Sequence, residues 1–298
     1  MSTTRRIDPQ LTARALDLCR ERTRASKSNF ALAFSPLPRP RREGIHAVYA
    51  YCRWLDDLVD EPQENLDPRA ELDAWRAAVP RALRGEVDDQ DDPVLVGVAA
   101  THERFGLHEV DLLAVIDGMQ MDLERNRYET AEELSLYCRR VAGHVGCLCL
   151  PVFGSQSEEG RRFAMKLGEA FQMTNILRDV GGDAAQGRIY LPLEELERAG
   201  VTPEEILERR ASPRLAALLR RMGERALRLF NLAEQALPTN ERATLFSASI
   251  MAAIYRRLLE EVQGRAPDPF GPRPRLPGRL KGLLATGVIL RDAVFRLA

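Results

Sequence analysis

The stretch that suggests chemistry most directly is the acidic segment at residues 51–61, YCRWLDDLVDE, which places four acids among apolar residues. If the segment is helical, Asp56 and Asp60 lie on one face, because residues four apart in a helix are neighbours. Like charges at that spacing destabilise a helix by roughly 0.2–0.5 kcal/mol per pair. The helix must end before Pro62, so the acids also lie at the negative end of its dipole. This arrangement opposes stability and raises the question of what the acids bind.

A second polar series occurs at residues 169–192, EAFQMTNILRDVGGDAAQGRIYLP. Its members follow one another at spacings of three and four residues and are surrounded by apolar positions: Gln172, Asn175, Asp179 and Asp183. We expect Gly181 and Gly182 to loosen the helix at this point. The two aspartates would then lie at another negative helix C-terminus.

Two interpretations fit these acids. Either cluster alone could be a solvated helix end without further function. Two such clusters, each on an apolar helix and each followed by a helix breaker, favour a divalent cation, since Mg²⁺ takes oxygen ligands and commonly joins carboxylates to substrate phosphates. Their oxygen donors favour Mg²⁺ over zinc, and neither stretch has the Gly and Glu positions of an EF-hand loop.

The elements that must position these residues are helices almost throughout, because apolar residues recur at spacings of three and four. One predicted helix runs from near Arg42 to before Pro62, and the others cover 11–25, 67–84, 93–104, 109–125, 130–154, 158–180, 193–199, 203–209, 212–236, 239–264 and 279–297. The only short extended candidate is GRIYLP at 187–192. We predict one all-α domain over residues 1–298, with residues 1–10 flexible and mobile loops at 85–93 and 264–278.

Composition narrows the class of protein. The 298 residues are 45% hydrophobic and carry a formal net charge of −1, which is typical of a soluble globular chain and gives no reason to expect nucleic acid binding. We find no apolar run long enough for a transmembrane helix and no signal-peptide core at the N-terminus. The five cysteines, an odd number without a CxxC pair, indicate reduced thiols. We therefore expect a cytoplasmic protein, and the sequence indicates no particular oligomeric state.

The stretches YAYCRWLDDLVDE (49–61) and QMTNILRDVGGDAAQGRIYLP (172–192), in this order and about 120 residues apart, resemble the squalene/phytoene synthase family. The resemblance runs from about Ser26 to Arg279. It implies an isoprenoid synthase fold, a single helical domain around a central cavity with an aspartate-rich helix on each of two opposing walls.

The resemblance also assigns roles to individual positions. The residues that match metal-binding positions are Asp56, Asp60, Asn175, Asp179 and Asp183. The residues that match substrate-binding positions are Tyr49, Arg53, Gln172 and Arg178, with Ser28, Phe30 and Phe34 from the looser motif SKSNFALAF. Tyr137 and Tyr255 match cavity tyrosines and join Asp56, Asp60, Asn175 and Asp179 in the implied catalytic set.

Three of these assignments keep an alternative. Spacing alone makes an intrahelical ion pair as good an interpretation of Arg53 as diphosphate binding. Without the resemblance, Tyr137 and Tyr255 would be interpreted as core tyrosines. The family has a C-terminal arginine that reaches the diphosphate, and PRPRLPG offers Arg273 or Arg275 for this position.

The activity implied by the resemblance is a Mg²⁺-dependent head-to-head condensation of two prenyl diphosphates. The forms DDLVDE and IMAAIYRRLL look closer to bacterial squalene-pathway members, which predicts two farnesyl diphosphates joined to presqualene diphosphate. NADPH would be needed if the reaction continued to squalene. The alternatives are a phytoene synthase that joins two geranylgeranyl diphosphates through prephytoene diphosphate and, more remotely, a non-catalytic relative resembling a respiratory-chain assembly factor.

The C-terminal stretch RLKGLLATGVILRDAVFRLA (279–298) combines an apolar helix pattern with basic residues at both ends. One interpretation is that this helix closes the domain core. The other is that it lies on anionic lipid, which would place the protein peripherally on the inner face of a membrane. The apolar residues concerned are Leu280, Leu283, Leu284, Val288, Leu290 and Phe295, and the basic residues are Arg279, Lys281, Arg291 and Arg296.

Overall fold

The computed structural model describes residues 7–25, 33–61 and 66–294, and the regular elements within those ranges are helices. The α-helices are α1 (Pro9–Ala25), α2 (Arg39–Asp60), α3 (Pro68–Leu83), α4 (Pro93–Phe105), α5 (Glu109–Glu124), α6 (Ala131–Cys138), α7 (His144–Phe153), α8 (Glu158–Ala185), α9 (Leu193–Ala199), α10 (Pro203–Leu207), α11 (Pro213–Ala236), α12 (Phe246–Gly264) and α13 (Gly278–Val294). A π-helix at Arg139–Gly143 joins α6 to α7, and a 3₁₀ turn at Thr239–Glu241 precedes α12. The predicted all-α class is confirmed.

Local signals explain where many of these helices begin. At the start of α4, the side chain of Asp92 accepts a hydrogen bond from the backbone N–H of Val94 at 2.7 Å. At the start of α11, the hydroxyl of Ser212 accepts one from Leu215 at 3.2 Å. A proline follows each of these caps, at a position where its missing N–H costs nothing.

Two predicted helices are interrupted. The predicted helix over 130–154 contains the π-helix, whose backbone at Ala142 lies against Gly168 of α8 so closely that a side chain at Gly168 would collide with it. The predicted helix over 239–264 is wrong in its first turns, because a separate 3₁₀ turn and a further turn precede Phe246. Ile189 of the predicted extended segment forms an isolated β-bridge with Arg127.

The prediction that Gly181 and Gly182 loosen the helix is wrong, because α8 continues through both to Ala185. Gly181 has a packing reason instead. A Cβ added there would lie 3.1 Å from the Cα of Phe270, in the segment that leads to Arg273. The glycine therefore lets this segment approach α8, while Asp183 lies in the last helical turn as expected.

Contacts group the chain into two compact units. The first comprises residues up to Leu123 together with His144–Ser157, and in it α2 packs against α1, α4 and α7. The ring of Tyr51, fully buried on α2, lies 5.8 Å from that of Trp75 between ring centroids, and its hydroxyl donates to the carbonyl of Leu112 at 2.9 Å. This core holds the helix that carries the first acidic cluster.

The second unit comprises Glu124–Gly143 and the chain from Glu158 onward. Its central element is α8, which packs against the π-helix, α11 and α12. This packing buries the apolar positions of α8 around the second polar series, such as Met173 and Ile176. The unit thereby fixes the helix that carries Asn175 and Asp179.

Candidate active site

The first acidic cluster lies on the last two turns of α2. Arg53 bridges its neighbours there, with Nη1 3.2 Å from Oδ2 of Asp56 and Nη2 2.5 Å from Oδ1 of Asp57. A weaker approach of 3.8 Å joins Arg53 to Glu61. The intrahelical ion pair considered for Arg53 is therefore present, and its guanidinium is 42% exposed.

A raised pKa of Asp56 distinguishes this cluster from an ordinary solvated helix end. Partial burial and then the like charge of Asp60 raise the pKa of Asp56 to about 6, although Arg53 acts in the opposite direction. Asp122, on α5 of the same unit, also raises this pKa, and the sequence pattern did not single it out. The only sequence signal for Asp122 is an acid in the apolar context GMQMDL. The cluster therefore holds more negative charge than its arginine compensates.

Of the other predicted site residues in this part of the chain, Tyr49 and Phe34 are described by the structure. Tyr49 is half-buried on α2. Burial by itself would lower the pKa of Arg53, but Asp57, Asp56 and, to a smaller extent, Tyr49 raise it above its ordinary value. Phe34 is buried, and its ring centroid lies 6.5 Å from that of Phe153. Ser28 and Phe30 lie outside the described residues.

The second cluster is built around the carboxylate of Asp179. Arg178 binds it through two hydrogen bonds of 2.9 and 2.7 Å. Arg273 binds the same carboxylate through two hydrogen bonds of 2.6 Å each. Of the two C-terminal arginines that the sequence offered, Arg273 is therefore the one that reaches Asp179.

These two arginines set the charge of Asp179. Burial by itself would raise the pKa of Asp179, but Arg178 and then Arg273 lower it below its ordinary value. Their side chains differ in access, since Arg178 is 11% exposed and Arg273 is 51% exposed. Asp179 thus holds one buried and one accessible cation at the same point of α8.

Tyr255 and Asn175 complete the second cluster. The phenol of Tyr255 is buried and forms side-chain hydrogen bonds with Asn175 and Arg178, while burial raises its pKa. Its ring centroid lies 4.3 Å from that of Phe171. The amide nitrogen of Asn175 donates to Oε1 of Gln172 at 3.2 Å, but its oxygen is buried without a hydrogen-bond partner. A buried amide oxygen in this state has an unused lone pair available to a cation or a ligand.

Tyr137 lies in a separate part of the second unit. It is buried in a group of three tyrosine rings, with its centroid 5.3 Å from Tyr128 and 5.3 Å from Tyr190. Tyr190 belongs to the extended segment GRIYLP, and no pattern in the sequence indicated that its ring would stack on Tyr137. The predicted catalytic role of Tyr137 remains a prediction.

The donor atoms on α2 and on α8 are of the kind that a hard cation takes. Within the described ranges, no three His, Cys, Asp or Glu side chains gather into a metal-binding set by themselves. Carboxylates and an amide oxygen are nevertheless the donors that Mg²⁺ prefers, and one or two carboxylates with substrate phosphates are its usual protein environment. Asn175 and Asp179, with Asp183 one turn later, supply such donors on α8, and Asp56 and Asp60 supply them on α2.

Comparison with known proteins follows this geometry. The family model described as squalene/phytoene synthase matches residues 23–280. A presqualene diphosphate synthase of Sinorhizobium fredii is 35% identical over 95% of this chain and 99% of its own length. A phytoene synthase of Arthrospira platensis is 34% identical over 90% of each chain. A solved structure of a dehydrosqualene synthase in complex with ligand superposes with a TM-score of 0.82 at 31% identity, covering 96% of this chain and 100% of that one.

Proposed function

Because this chain belongs to the squalene/phytoene synthase family, whose members condense prenyl diphosphates head to head, we propose that it joins two farnesyl diphosphates to presqualene diphosphate. The near full-length likeness to a presqualene diphosphate synthase supports this substrate. The name of the dehydrosqualene synthase with the similar structure points in the same direction.

The observation that carries the proposal is the cation pair on Asp179. A diphosphate leaves only when its charge is neutralised, and fixed guanidinium groups do this without reorganising during the reaction. Arg273 is half exposed, so its guanidinium can donate to a diphosphate while it stays paired with Asp179. Arg178 is nearly buried and remains in position through Asp179 and Tyr255. The arrangement therefore offers a preorganised diphosphate-binding point.

Magnesium fits the same residues. In the first unit Asp56 and Asp60 would supply its oxygen ligands, and in the second unit Asn175, Asp179 and Asp183 would do so; when bound, Mg²⁺ would neutralise diphosphate charge as a Lewis acid. Asp56 and Asp60 repel each other in the absence of a cation, which is consistent with a role in binding one. The unpartnered oxygen of Asn175 is likewise available as a ligand.

The chain's own residues then support the carbon chemistry. Departure of diphosphate from the first substrate leaves an allylic cation, which the double bond of the second substrate attacks. Loss of a proton, with the released diphosphate as acceptor, closes the cyclopropane ring of the product. The rings of Tyr255 and Phe171 present aromatic faces that can stabilise such cations and exclude water.

A phytoene synthase is the second candidate, since a relative of that name is as similar as the presqualene diphosphate synthase. The deciding experiment incubates the protein and Mg²⁺ with farnesyl or geranylgeranyl diphosphate, each with and without NADPH, and identifies the extracted products. We expect presqualene diphosphate from the C15 substrate, and squalene only if NADPH is used. Phytoene from the C20 substrate alone would replace this proposal by the second candidate. Absence of diphosphate release from either would favour a non-catalytic relative.

We also propose that α13 contacts anionic lipid. This helix packs on α12, and its residues Ala285 and Val288 are buried, so the core-closing interpretation describes one of its faces. Its other face exposes Leu283 by 69% and Leu290 by 64%. Phe295 and Arg296 of the same prediction lie outside the described residues. No helix in the described part of the chain is long and apolar enough to cross a membrane.

A further inference from the structure

The second unit contains a cavity of about 290 Å³ among α8, α11, α12 and α13. A space of this volume between helices is unusual, because apolar interiors are normally close-packed. The volume lies near the lower end of the roughly 300–1,000 Å³ found for small-molecule sites. The larger apolar lining residues are Phe163, Leu167, Phe230, Leu237 and Val288, and small side chains such as Ala253 of α12 complete the apolar wall.

Polar groups occur at the same cavity and are predominantly cationic. Arg242, Arg256 and Arg291 line it, together with the single acid Glu234. Arg256 is held in place by Asn231 at 2.9 Å and, more loosely, by Glu234 at 3.5 Å. Guanidinium groups suit carboxylate or phosphate heads, because their donors match two oxygens at once.

Ser249 provides an independent indication of a ligand. Its side chain lines the cavity and is 6% exposed, and its hydroxyl oxygen has no hydrogen-bond partner. A buried hydroxyl without a partner is costly, so a polar atom of a bound molecule would stabilise it.

The cavity is distinct from the Asp179 cluster, since its lining does not include Tyr255, Arg178 or Asp179. Two aromatic rings lie between them. The ring of Phe230, which lines the cavity, is 6.0 Å from that of Phe171, which in turn is 4.3 Å from that of Tyr255. A ligand in the cavity would therefore lie behind the aromatic residues of the candidate active site rather than in it.

We propose that this cavity is a separate binding site for an anionic single-chain amphiphile. The hydrocarbon chain lies among the apolar residues, the carboxylate or phosphate head binds Arg256 with its neighbouring arginines, and Ser249 hydrogen-bonds to the ligand. A free fatty acid and a prenyl phosphate share this chemistry. The site goes beyond the condensation reaction, which has no need of it.

The test is calorimetric titration of the full chain with laurate below its critical micelle concentration, with EDTA present. Ala253→Phe fills the cavity and should abolish binding. Arg256→Gln should weaken it by about fivefold, somewhat less than the tenfold that corresponds to about 1.4 kcal/mol, because the arginine is partly exposed. Arg228→Gln, an exposed arginine on the same helix as Phe230, is the matched control and should change the affinity by less than about twofold.

Dodecanol and farnesyl monophosphate complete the experiment. Dodecanol should bind at least about tenfold more weakly than laurate, since it lacks the charge that pairs with arginine. Displacement of laurate by farnesyl monophosphate would identify a prenyl phosphate as a ligand of the site. Lack of displacement would identify a fatty acid as the class of ligand that the site binds. The proposal is overturned if laurate does not bind, if dodecanol binds as tightly, or if folded Ala253→Phe, checked by circular dichroism, binds laurate like the wild type.

Discussion

Arg273 forms two hydrogen bonds of 2.6 Å to the carboxylate of Asp179, a residue 94 positions earlier in the chain. This long-range pair fixes the proline-rich segment after α12 against the end of α8. It also means that two arginines compensate the charge of Asp179 before any ligand binds, whereas Asp56 shares the single Arg53 with Asp57. The two acidic clusters, similar in sequence, therefore differ in their electrostatics, and this difference can be measured.

The first prediction concerns the choice between the two C-terminal arginines. Arg273→Ala should lower kcat/KM for farnesyl diphosphate by about a hundredfold, as expected for loss of a charge-assisted contact in the transition state. Arg275→Ala is the matched control and should retain nearly the activity of the wild type. Equal losses in both variants would contradict the assignment of Arg273 to the diphosphate.

The second prediction concerns the stability of the metal-free protein and Asp56. Because its pKa is raised from 3.8 to about 6 on folding, the folded state binds this proton more tightly than the unfolded state. The stability contributed by protonated Asp56 is present below about pH 4 and is lost as the pH rises through about 6. Asp56→Asn should therefore stabilise the protein at neutral pH, by under about 1 kcal/mol because the carboxylate is half exposed and screened.

Denaturant unfolding in EDTA at several pH values measures this effect. The difference between Asp56→Asn and the wild type should shrink as the pH falls from about 6 towards 4. Asp89→Asn, in an exposed loop, controls for the general loss of one charge. A variant that is less stable than the wild type at neutral pH would contradict the like-charge account of this cluster.

The third prediction concerns Asp179, whose replacement should lower the stability of the metal-free protein rather than raise it. Since Arg178 and Arg273 lower the pKa of Asp179, its stabilisation is present above the unfolded value of 3.8 and is lost as the pH falls through the folded value. Asp179→Asn should destabilise the metal-free protein at neutral pH by about 1–3 kcal/mol, because two neighbouring guanidinium groups lose their shared acceptor. The same unfolding series should show this difference narrowing only below about pH 4. A neutral effect at pH 7 would mean that the two arginines find other partners.

The sequence predicted the helices and both acidic clusters because these depend on local periodicity. Spacing alone places Asp56 with Asp60, and Asn175 with Asp179, on single helix faces. It could not choose Arg273, since the segment PDPFGPRPRLPG has no helical period that would fix its register. Close packing between elements could not be predicted from the sequence either. The contact of Gly168 with the π-helix depends on a second element, so no local pattern reports it.

The fourth prediction concerns magnesium and Asn175. EDTA should abolish turnover of farnesyl diphosphate, and added Mg²⁺ should restore it. If the unpartnered oxygen of Asn175 is a ligand, Asn175→Ala should raise the Mg²⁺ concentration for half-maximal rate by about tenfold or more. Asn240→Ala, in the exposed 3₁₀ turn, is the control. An unchanged Mg²⁺ requirement in Asn175→Ala would remove this residue from the metal set.

The last prediction concerns lipid contact by α13. Leu283 and Leu290 are exposed by 69% and 64%, so replacing both with Gln removes apolar surface without opening the core held by Ala285 and Val288. We expect the wild type to sediment weakly with vesicles containing anionic lipid at low salt, and less so as salt screens Arg279 and Lys281. The double variant should lose most of this binding while keeping its activity on soluble substrate. Leu232→Gln, an exposed leucine on α11, should bind like the wild type. If the wild type stays in the supernatant at low salt, α13 does not contact lipid and serves only to close the core.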